Sequence, residues 1–147
     1  MNWHPLRVES GFLKTIGSIE WCKQANESLK MRFRVEPIHC NPVGSCHGGM
    51  LATFADIVLG FSVGHSIGDS TFTPTIELKC DFLAPAQSGR WVISQAEILR
   101  SGKAIGVARC VMITDMGETV AHASGIFKVD RRSGTNYSHS DFLYTDT

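Results

Sequence analysis

Apolar and polar residues alternate strictly along two stretches of the chain, Leu29–Val35 and Thr75–Phe82. A period of two places successive side chains on opposite faces of a strand, so both stretches are predicted to be strands with one buried face. In the first strand the polar positions are basic and are expected on a solvated face: Lys30, Arg32 and Arg34. In the second, one face is predicted to carry Ile76, Leu78, Cys80 and Phe82, and the other Thr75, Glu77, Lys79 and Asp81.

The segment from His47 to Gly68 lacks this alternation and is apolar almost throughout. It contains no proline, it is too long for one strand, and its only formally charged residue is Asp56, so it is predicted to be a helix. Because a surface helix carries charges on its outer face, this one is expected to be covered nearly all round, by its own sheet alone or with a second subunit. Small residues that would let another backbone approach lie along one side: Gly49, Thr53, Asp56, Gly60 and Gly64.

Three further strand-like runs follow, at Trp91–Leu99, Ile105–Thr114 and Thr119–Val129. Turns containing Gly102 and Gly117 separate them and are typical of β-hairpins. The order of strand, long helix and then four strands predicts an α+β fold. In this fold one long central helix packs on an antiparallel sheet.

Composition agrees with one globular domain and excludes one class of partner. The chain has 147 residues, of which 43% are hydrophobic and 19% charged, and 14 basic residues balance 14 acidic ones. A nucleic-acid binder normally shows a basic excess, so no nucleic-acid partner is expected. We assign residues 1–130 to a single domain and residues 131–147 to a polar, flexible tail.

A cytoplasmic location is expected from the missing secretory signal and from the spacing of the cysteines. No basic segment leading into an apolar stretch is seen near the start of the sequence, as a secretory signal would require. The apolar run Met50–Val63 is too short to span a bilayer and contains Asp56, so no membrane association is expected. The five cysteines are scattered and form no CxxC pair, which is typical of reduced cysteines in a cytoplasmic protein.

Two features of the predicted helix suggest chemistry. Asp56 lies between apolar neighbours, and a carboxylate in such a setting is a functional-site candidate, unless it occupies a solvent-facing position of the helix. His47, Gly48 and Gly49 open the helix, where unpaired N–H groups and a partial positive charge are found. The N–H of Gly48 could polarise a carbonyl and stabilise the oxyanion that forms on attack.

The spacing of these two features predicts a dimer. Gly48 and Asp56 are eight residues apart, about 12 Å along a helix axis, so one carbonyl cannot contact both within a single chain. Two antiparallel copies of the helix would place Gly48 of one subunit opposite Asp56 of the other. We therefore predict a homodimer with composite sites.

The run Asn41–Gly49, with Asp56 after it, resembles the signature of hotdog-fold thioesterases of the phenylacetate-pathway (PaaI-like) type. The strand and loop Thr75–Ala86 and the turn Arg100–Lys103 resemble the same family, so the resemblance spans roughly residues 16–129. It implies a long helix wrapped by an antiparallel sheet, homodimers that often pair into tetramers, and hydrolysis of a small or medium acyl-CoA to free acid and CoA. It implies no cofactor and no metal.

The resemblance also implies a role for each matching catalytic position. Asp56 would be the general base or the nucleophile, and the Gly48 N–H would polarise the thioester carbonyl. His47 would fix the loop, and Asn41 would help to hold the substrate or the attacking water. Thr75 stands where relatives often carry a water-orienting serine; its hydroxyl can do the same, and its methyl group narrows the pocket.

Substrate binding is assigned to three further positions. Gly49 belongs to the same His-Gly-Gly sequence at the helix start. Arg100 and Lys103 lie in the basic hairpin near which such enzymes hold the phosphates of CoA. The alternative is that Arg100 and Lys103 lie in an ordinary solvated turn and do not bind substrate.

Four other functions remain open at this point. Cys46 could be a nucleophile beside His47, and His39, Cys40, Cys46 and His47 could together bind zinc, although adjacent ligands lack the usual spacer. A hotdog dehydratase would share the fold, but its loop motif is absent from this sequence. A non-catalytic acyl-CoA binding or sensing module would not need a carboxylate in an apolar helix.

Overall fold

A seven-stranded antiparallel sheet and one long helix form the fold, which confirms the predicted α+β class. The computed structural model describes residues 1–68, 72–129, 141–143 and 145. The strands are β1 (His4–Pro5), β2 (Ile19–Lys23), β3 (Leu29–Arg34), β4 (Thr75–Phe82), β5 (Trp91–Ser101), β6 (Ile105–Thr114) and β7 (Thr119–Lys128). The helices are α1 (Phe12–Thr15), a short 3-10 helix (Pro37–His39) and α2 (Gly48–Ile67). Across the sheet the strand order is β1-β2-β3-β5-β6-β7-β4.

The element boundaries lie close to those expected from the sequence. β4 and β6 have the predicted bounds, α2 lies one residue inside each predicted end, and the two predicted hairpins join β5 to β6 and β6 to β7. β5 continues two residues further than expected, to Ser101, with an irregularity in register between Ile98 and Arg100. β1 was not predicted, because a strand of two residues leaves no periodic pattern.

Helix α2 lies across the inner face of the sheet and supplies the centre of the core. Phe54, Val58 and Leu59 are fully buried, and the Phe54 ring packs edge-on against Phe33 with centroids 4.8 Å apart. Burying one such side chain stabilises a fold by about 1.5–3 kcal/mol. By length and composition alone α2 could cross a bilayer, but most of it is buried inside the fold.

The small-residue side of α2 is the part that the sheet leaves partly open. Gly49 is exposed, and Thr53, Asp56 and Gly60 are half-buried. Gly64, expected on the same side, is buried instead. Near this end of the helix Gly106 of β6 packs directly on Val63, and the open stripe ends at Gly60.

Strand β4 contains a β-bulge that changes which of its residues face the helix. Thr75 is opposite Phe127 of β7, but Glu77 is opposite Ile126, so β4 accommodates one extra residue, Ile76. Thr75 therefore shares the helix-facing side of the sheet with the buried Phe127. The sequence-based assignment of Thr75 to the same face as Glu77 was wrong, because strict alternation assumes a constant register.

The outer edge of β4 is unpaired in the described part of the chain and exposes large apolar side chains. Ile76 is 58% exposed, and Phe82 and Leu83 are each 54% exposed. Free backbone N–H and C=O groups beside exposed apolar side chains are typical of an edge that pairs with another chain.

The predicted flexible tail, residues 131–147, lies mostly outside the described residues. Within the part that is described, the Phe142 ring packs edge-on against Phe61 with centroids 5.7 Å apart. The Arg7 N–H also donates a hydrogen bond to the Phe142 carbonyl, at 3.0 Å. This short piece is therefore attached to the domain, and the flexibility of the rest stays a prediction.

Candidate active site

His47 caps the start of α2 and leaves one backbone donor free. Its Nδ1 accepts a hydrogen bond from the Gly49 N–H at 2.8 Å, and its carbonyl accepts from Met50 and Leu51 at 2.9 and 3.2 Å. Within the described part of the chain, the Gly48 N–H donates no hydrogen bond. This N–H is therefore available to a ligand, with the partial positive charge of the helix N-terminus behind it.

Two aromatic rings occupy the space beside Gly48 and Gly49. A Cβ on Gly49 would lie 2.9 Å from Nδ1 of His47, and a Cβ on Gly48 would lie 3.3 Å from Cζ of Phe82. The first contact would push the capping ring away. Because the Gly49 N–H is already bound to His47, the predicted substrate contact of Gly49 would have to come from other atoms of that residue.

Asn41 organises the loop that leads into α2. Its Oδ1 accepts hydrogen bonds from the N–H groups of Val43 and Ser45, both at 3.2 Å, and its Nδ2 donates to the Ser45 hydroxyl at 3.0 Å. This is a local turn closed by an asparagine side chain. The predicted contact of Asn41 with substrate or water is not part of this geometry and stays a prediction.

Asp56 lies half-buried in the third turn of α2. Its Oδ1 accepts a hydrogen bond of 2.6 Å from the Thr75 hydroxyl, a length typical of charge-assisted bonds. The bulge in β4 takes up the extra residue Ile76, so Thr75 keeps a helix-facing position from which it can make this contact. Among the described residues nothing donates a hydrogen bond to Oδ2, so this oxygen is free to interact with water.

The structure does not bring Gly48 and Asp56 together within one chain. Both lie on α2, and eight residues separate them by about 12 Å along its axis. A thioester carbonyl near one of them is out of reach of the other. A site that uses both groups therefore requires a second subunit.

A cavity of about 360 Å³ opens beside Asp56. Gly60, one turn further along α2, forms part of its wall, and a Cβ there would lie 3.3 Å from Cε1 of Phe127. Both hydroxyl groups in the lining are engaged, Thr73 with the Gly60 carbonyl at 3.2 Å and Thr75 with Asp56. The remaining lining is apolar and consists of Leu13, Ile57, Phe61, Phe72, Pro74 and Phe127.

Arg100 and Lys103 lie in the β5–β6 hairpin, at the opposite end of α2 from Gly48. The hairpin meets the helix where the hydroxyl oxygens of Ser101 and Ser66 are 3.5 Å apart. Ser66 is ten residues beyond Asp56, about 15 Å along the helix axis. Both bases are exposed, and within the described residues neither forms an ion pair, so both are available to an anion.

The geometry disfavours a cysteine nucleophile and a zinc site. Burial, with a smaller effect from Cys40, raises the pKa of the Cys46 thiol to about 12, whereas nucleophilic attack requires a thiolate. His39 is buried; its Nδ1 accepts from the Glu36 N–H at 2.9 Å, and its Nε2 donates to the Ile16 carbonyl at 2.6 Å. Among the described residues, no three His, Cys, Asp or Glu side chains are grouped to hold a metal.

Several residues that shape the site were not assigned to it from the sequence. Phe82 reaches the helix start from 34 positions further along the chain, and no local pattern reports such a contact. Cys80 also lies near the carboxylate: burial, helped by Asp81 and Asp56, raises the pKa of its thiol. Gly60 carried a signal as part of the small-residue stripe, but its place in a cavity wall depends on Phe127.

Comparisons with known proteins agree with the sequence signature. The sequence model of the thioesterase superfamily matches residues 43–121. PA0474 of Pseudomonas aeruginosa, which carries the provisional name of an esterase, is 32% identical over 128 residues, or 86% of this chain and 93% of that protein. Acyl-coenzyme A thioesterase 13 of Mus musculus is 26% identical over 98 residues, or 67% of this chain and 69% of that protein. The crystal structure of the BH2602 protein of Bacillus halodurans with CoA is 32% identical, with a TM-score of 0.65 over 69% of this chain and 66% of that one.

Proposed function

Because this chain belongs to the thioesterase superfamily and is a thioester hydrolase, we propose that it hydrolyses acyl-CoA thioesters to the free acid and CoA. The name of the mouse relative and the CoA in the Bacillus structure support this choice of substrate. One structural observation carries the proposal further: Thr75 orients the Asp56 carboxylate, which lines a cavity whose other walls are mostly apolar. The apolar walls suit an acyl group, and a carboxylate in the same cavity is within reach of the thioester that such a group carries.

In the proposed reaction, attack on the thioester carbonyl carbon places negative charge on its oxygen. The free N–H of Gly48 stabilises that oxyanion at the helix N-terminus. Asp56 either takes a proton from the attacking water or attacks directly, and Oδ2 is the oxygen available for both. When water attacks, collapse of the intermediate expels the thiolate of CoA, which takes up a proton, and leaves the carboxylic acid product. When Asp56 attacks, collapse expels the same thiolate and leaves a mixed anhydride with Asp56, which a water molecule then hydrolyses to the free acid and the regenerated carboxylate.

The proposed site is composite, with Asp56 from one subunit and the Gly48 N–H from its partner. The 12 Å separation on one helix supports this arrangement. So does the half-exposed stripe of small residues on α2, which ends at Gly60 and would let a second helix approach. The exposed apolar edge of β4 adjoins the same side of the fold and provides further surface for pairing.

The phosphates of CoA are assigned to Arg100 and Lys103. Both cations are exposed and lack carboxylate partners within the described residues. Charge-assisted contacts to phosphate are favourable there because no internal ion pair has to be broken first. They would act on binding and leave the chemical step to Asp56 and Gly48.

Release of free thiol from a panel of acyl-CoAs tests the proposed substrate class. We expect unsubstituted aliphatic or aryl acyl groups to be hydrolysed with kcat/KM at least about tenfold above hydroxylated analogues. Apart from the catalytic Asp56, the side chains that line the cavity offer a buried hydroxyl no free partner. The measurement is thiol release against substrate concentration. No release from any member of the panel, together with tight acyl-CoA binding, would replace the proposal by the non-catalytic binding function.

Mixed dimers test the composite site. A subunit with Asp56→Asn and a subunit with Gly48→Pro are each expected to form inactive homodimers, but together they assemble one intact site out of two. A heterodimer isolated with two affinity tags should therefore show about half of the wild-type kcat per dimer. If a verified heterodimer shows no thioesterase activity, or if the wild-type protein sediments as a monomer, the composite site is contradicted.

Gly60→Val tests whether the cavity receives the acyl group. The added side chain would fill the wall next to Phe127, so kcat/KM for octanoyl-CoA should fall at least about tenfold while that for acetyl-CoA stays within about threefold. Acetyl-CoA serves as the internal control, and the comparison applies to a Gly60→Val protein that is still a dimer in sedimentation, since Gly60 also ends the stripe of small residues on α2. An unaltered chain-length profile in a folded Gly60→Val protein would place the acyl group elsewhere.

A further inference from the structure

Cys40 and Cys46 stand directly opposite each other in a short antiparallel pair just before α2. Both are free thiols. The backbone hydrogen bonds of this pair flank the two cysteines instead of joining them. They run from the Asn41 N–H to the Ser45 carbonyl at 2.8 Å, and from the His47 N–H to the His39 carbonyl at 2.7 Å.

This pattern identifies a non-hydrogen-bonded pair, in which facing Cα atoms lie about 4.5 Å apart and the side chains project to the same side. Disulfides join residues whose Cα atoms are about 4.4–6.8 Å apart. Cys80 and Cys110 provide a contrast, because both are paired to Ala123, which lies between them. They are two strand spacings apart, roughly 9.5 Å, which is beyond the reach of a disulfide.

The two facing thiols differ in accessibility. Cys40 is half-buried, and its Sγ donates to the Glu36 carbonyl at 3.4 Å. Cys46 is only 6% exposed, and its Sγ donates to the His47 carbonyl at 3.7 Å. An oxidant from solution therefore reaches Cys40 first. Cys46 is less accessible to the oxidant but lies opposite Cys40 and can react with its sulfur.

We propose that Cys40 and Cys46 are a thiol–disulfide modification site, oxidised by a low-molecular-weight disulfide such as oxidised glutathione. The Cys40 thiolate attacks one sulfur of the reagent, forming a mixed disulfide and releasing one glutathione thiol. Burial raises the pKa of the Cys46 thiol, so the second step is the slow one. The small fraction of Cys46 thiolate, held opposite Cys40, then attacks the Cys40 sulfur and displaces the second glutathione thiol. Two protein thiols are oxidised, one external disulfide is reduced, and two protons leave the protein.

The disulfide would lock the loop at the entrance to the site. It closes a ring around residues 41–45, which include Asn41, and it lies next to His47, the cap of α2. Cross-linking removes conformational freedom of this segment from the unfolded chain and limits its opening in the folded one. The inference concerns the loop and holds whether or not acyl-CoA is the substrate.

Peptide mapping under non-reducing conditions tests the proposal. Reduced protein is incubated with oxidised glutathione, alkylated and digested. A peptide linked through Cys40 and Cys46 is expected, while Cys80 and Cys110 are recovered as alkylated thiols. In Cys46→Ser the reaction should stop at glutathione attached to Cys40.

Two physical measurements accompany the mapping. The oxidised protein should unfold at a temperature roughly 5 °C higher, with slower amide exchange at residues 41–45, and Cys40→Ser should show neither change. Wild-type protein that accumulates only the glutathione adduct, or that links other cysteines while still folded, would overturn the proposal.

Discussion

Replacing Asp56 by asparagine is expected to lower kcat by about 10²–10⁴-fold while leaving KM nearly unchanged. The amide has the same shape as the carboxylate but can neither accept the proton of water nor attack a carbonyl, and groups in these roles supply factors of this size. Thr75 can still donate to the amide oxygen, so the fold around the site should persist. Steady-state thiol release with the preferred acyl-CoA measures the effect.

Asp81→Asn is the matched control for this change. Asp81 is an exposed aspartate on β4, paired with Lys79 at 2.9 Å, and its side chain lies outside the cavity beside Asp56. The same chemical substitution there should leave kcat within about twofold, since exposed ion pairs contribute little. Equal activity of Asp56→Asn and the wild type would remove the carboxylate from the mechanism.

Replacing Gly48 by proline is expected to lower kcat by about 10²–10³-fold, the usual effect of removing one oxyanion donor. Proline has no N–H and is well tolerated at the first position of a helix. His47 before it has φ −60° and ψ 138°, a conformation that a following proline accepts. The substitution therefore removes the proposed donor while the helix is retained, which circular dichroism verifies.

Gly48→Ala separates the lost N–H from the added bulk. Alanine places a Cβ at the same 3.3 Å contact with Phe82 but keeps the donor, and the Phe82 ring is exposed enough to shift. We expect this variant to retain kcat within about fivefold, far above the proline variant. If alanine and proline reduce kcat equally, crowding by Phe82 explains the loss and the N–H has no catalytic part.

Local patterns predicted the elements of this fold because each element has a strong signal of its own. The period-two alternation of β4 and the largely apolar, proline-free run of α2 predicted the bounds of both elements to within a residue. The signal failed at Thr75, where one extra residue in β4 reversed the predicted face. The bulge depends on how β4 pairs with β7, and the apolar and polar pattern of β4 alone contains no information about that pairing.

Helix geometry alone predicted only the part of the candidate site whose residues are close in sequence, and Thr75 was named through the family resemblance. His47, Gly48 and Asp56 belong to one helix, so their separation follows from helix geometry. The unpaired N–H of Gly48 was expected from its position at the start of a helix. That His47 caps Gly49 and leaves the Gly48 donor free could be seen only in the structure. The cavity wall combines Gly60 with Phe127, which are adjacent only after the sheet has formed around α2.

The bulge at Ile76 has a consequence for reading related sequences. Ile76 is the extra residue, so a chain without it would still set the threonine opposite the position of Phe127 and within reach of the helical aspartate. The interval of 19 residues between Asp56 and Thr75 is therefore not fixed by the architecture. Sequence alignments in this region should therefore allow a gap of one residue. In a related protein, the residue equivalent to Thr75 should be identified as the one that pairs with the position of Phe127, and not by its number of residues from the aspartate.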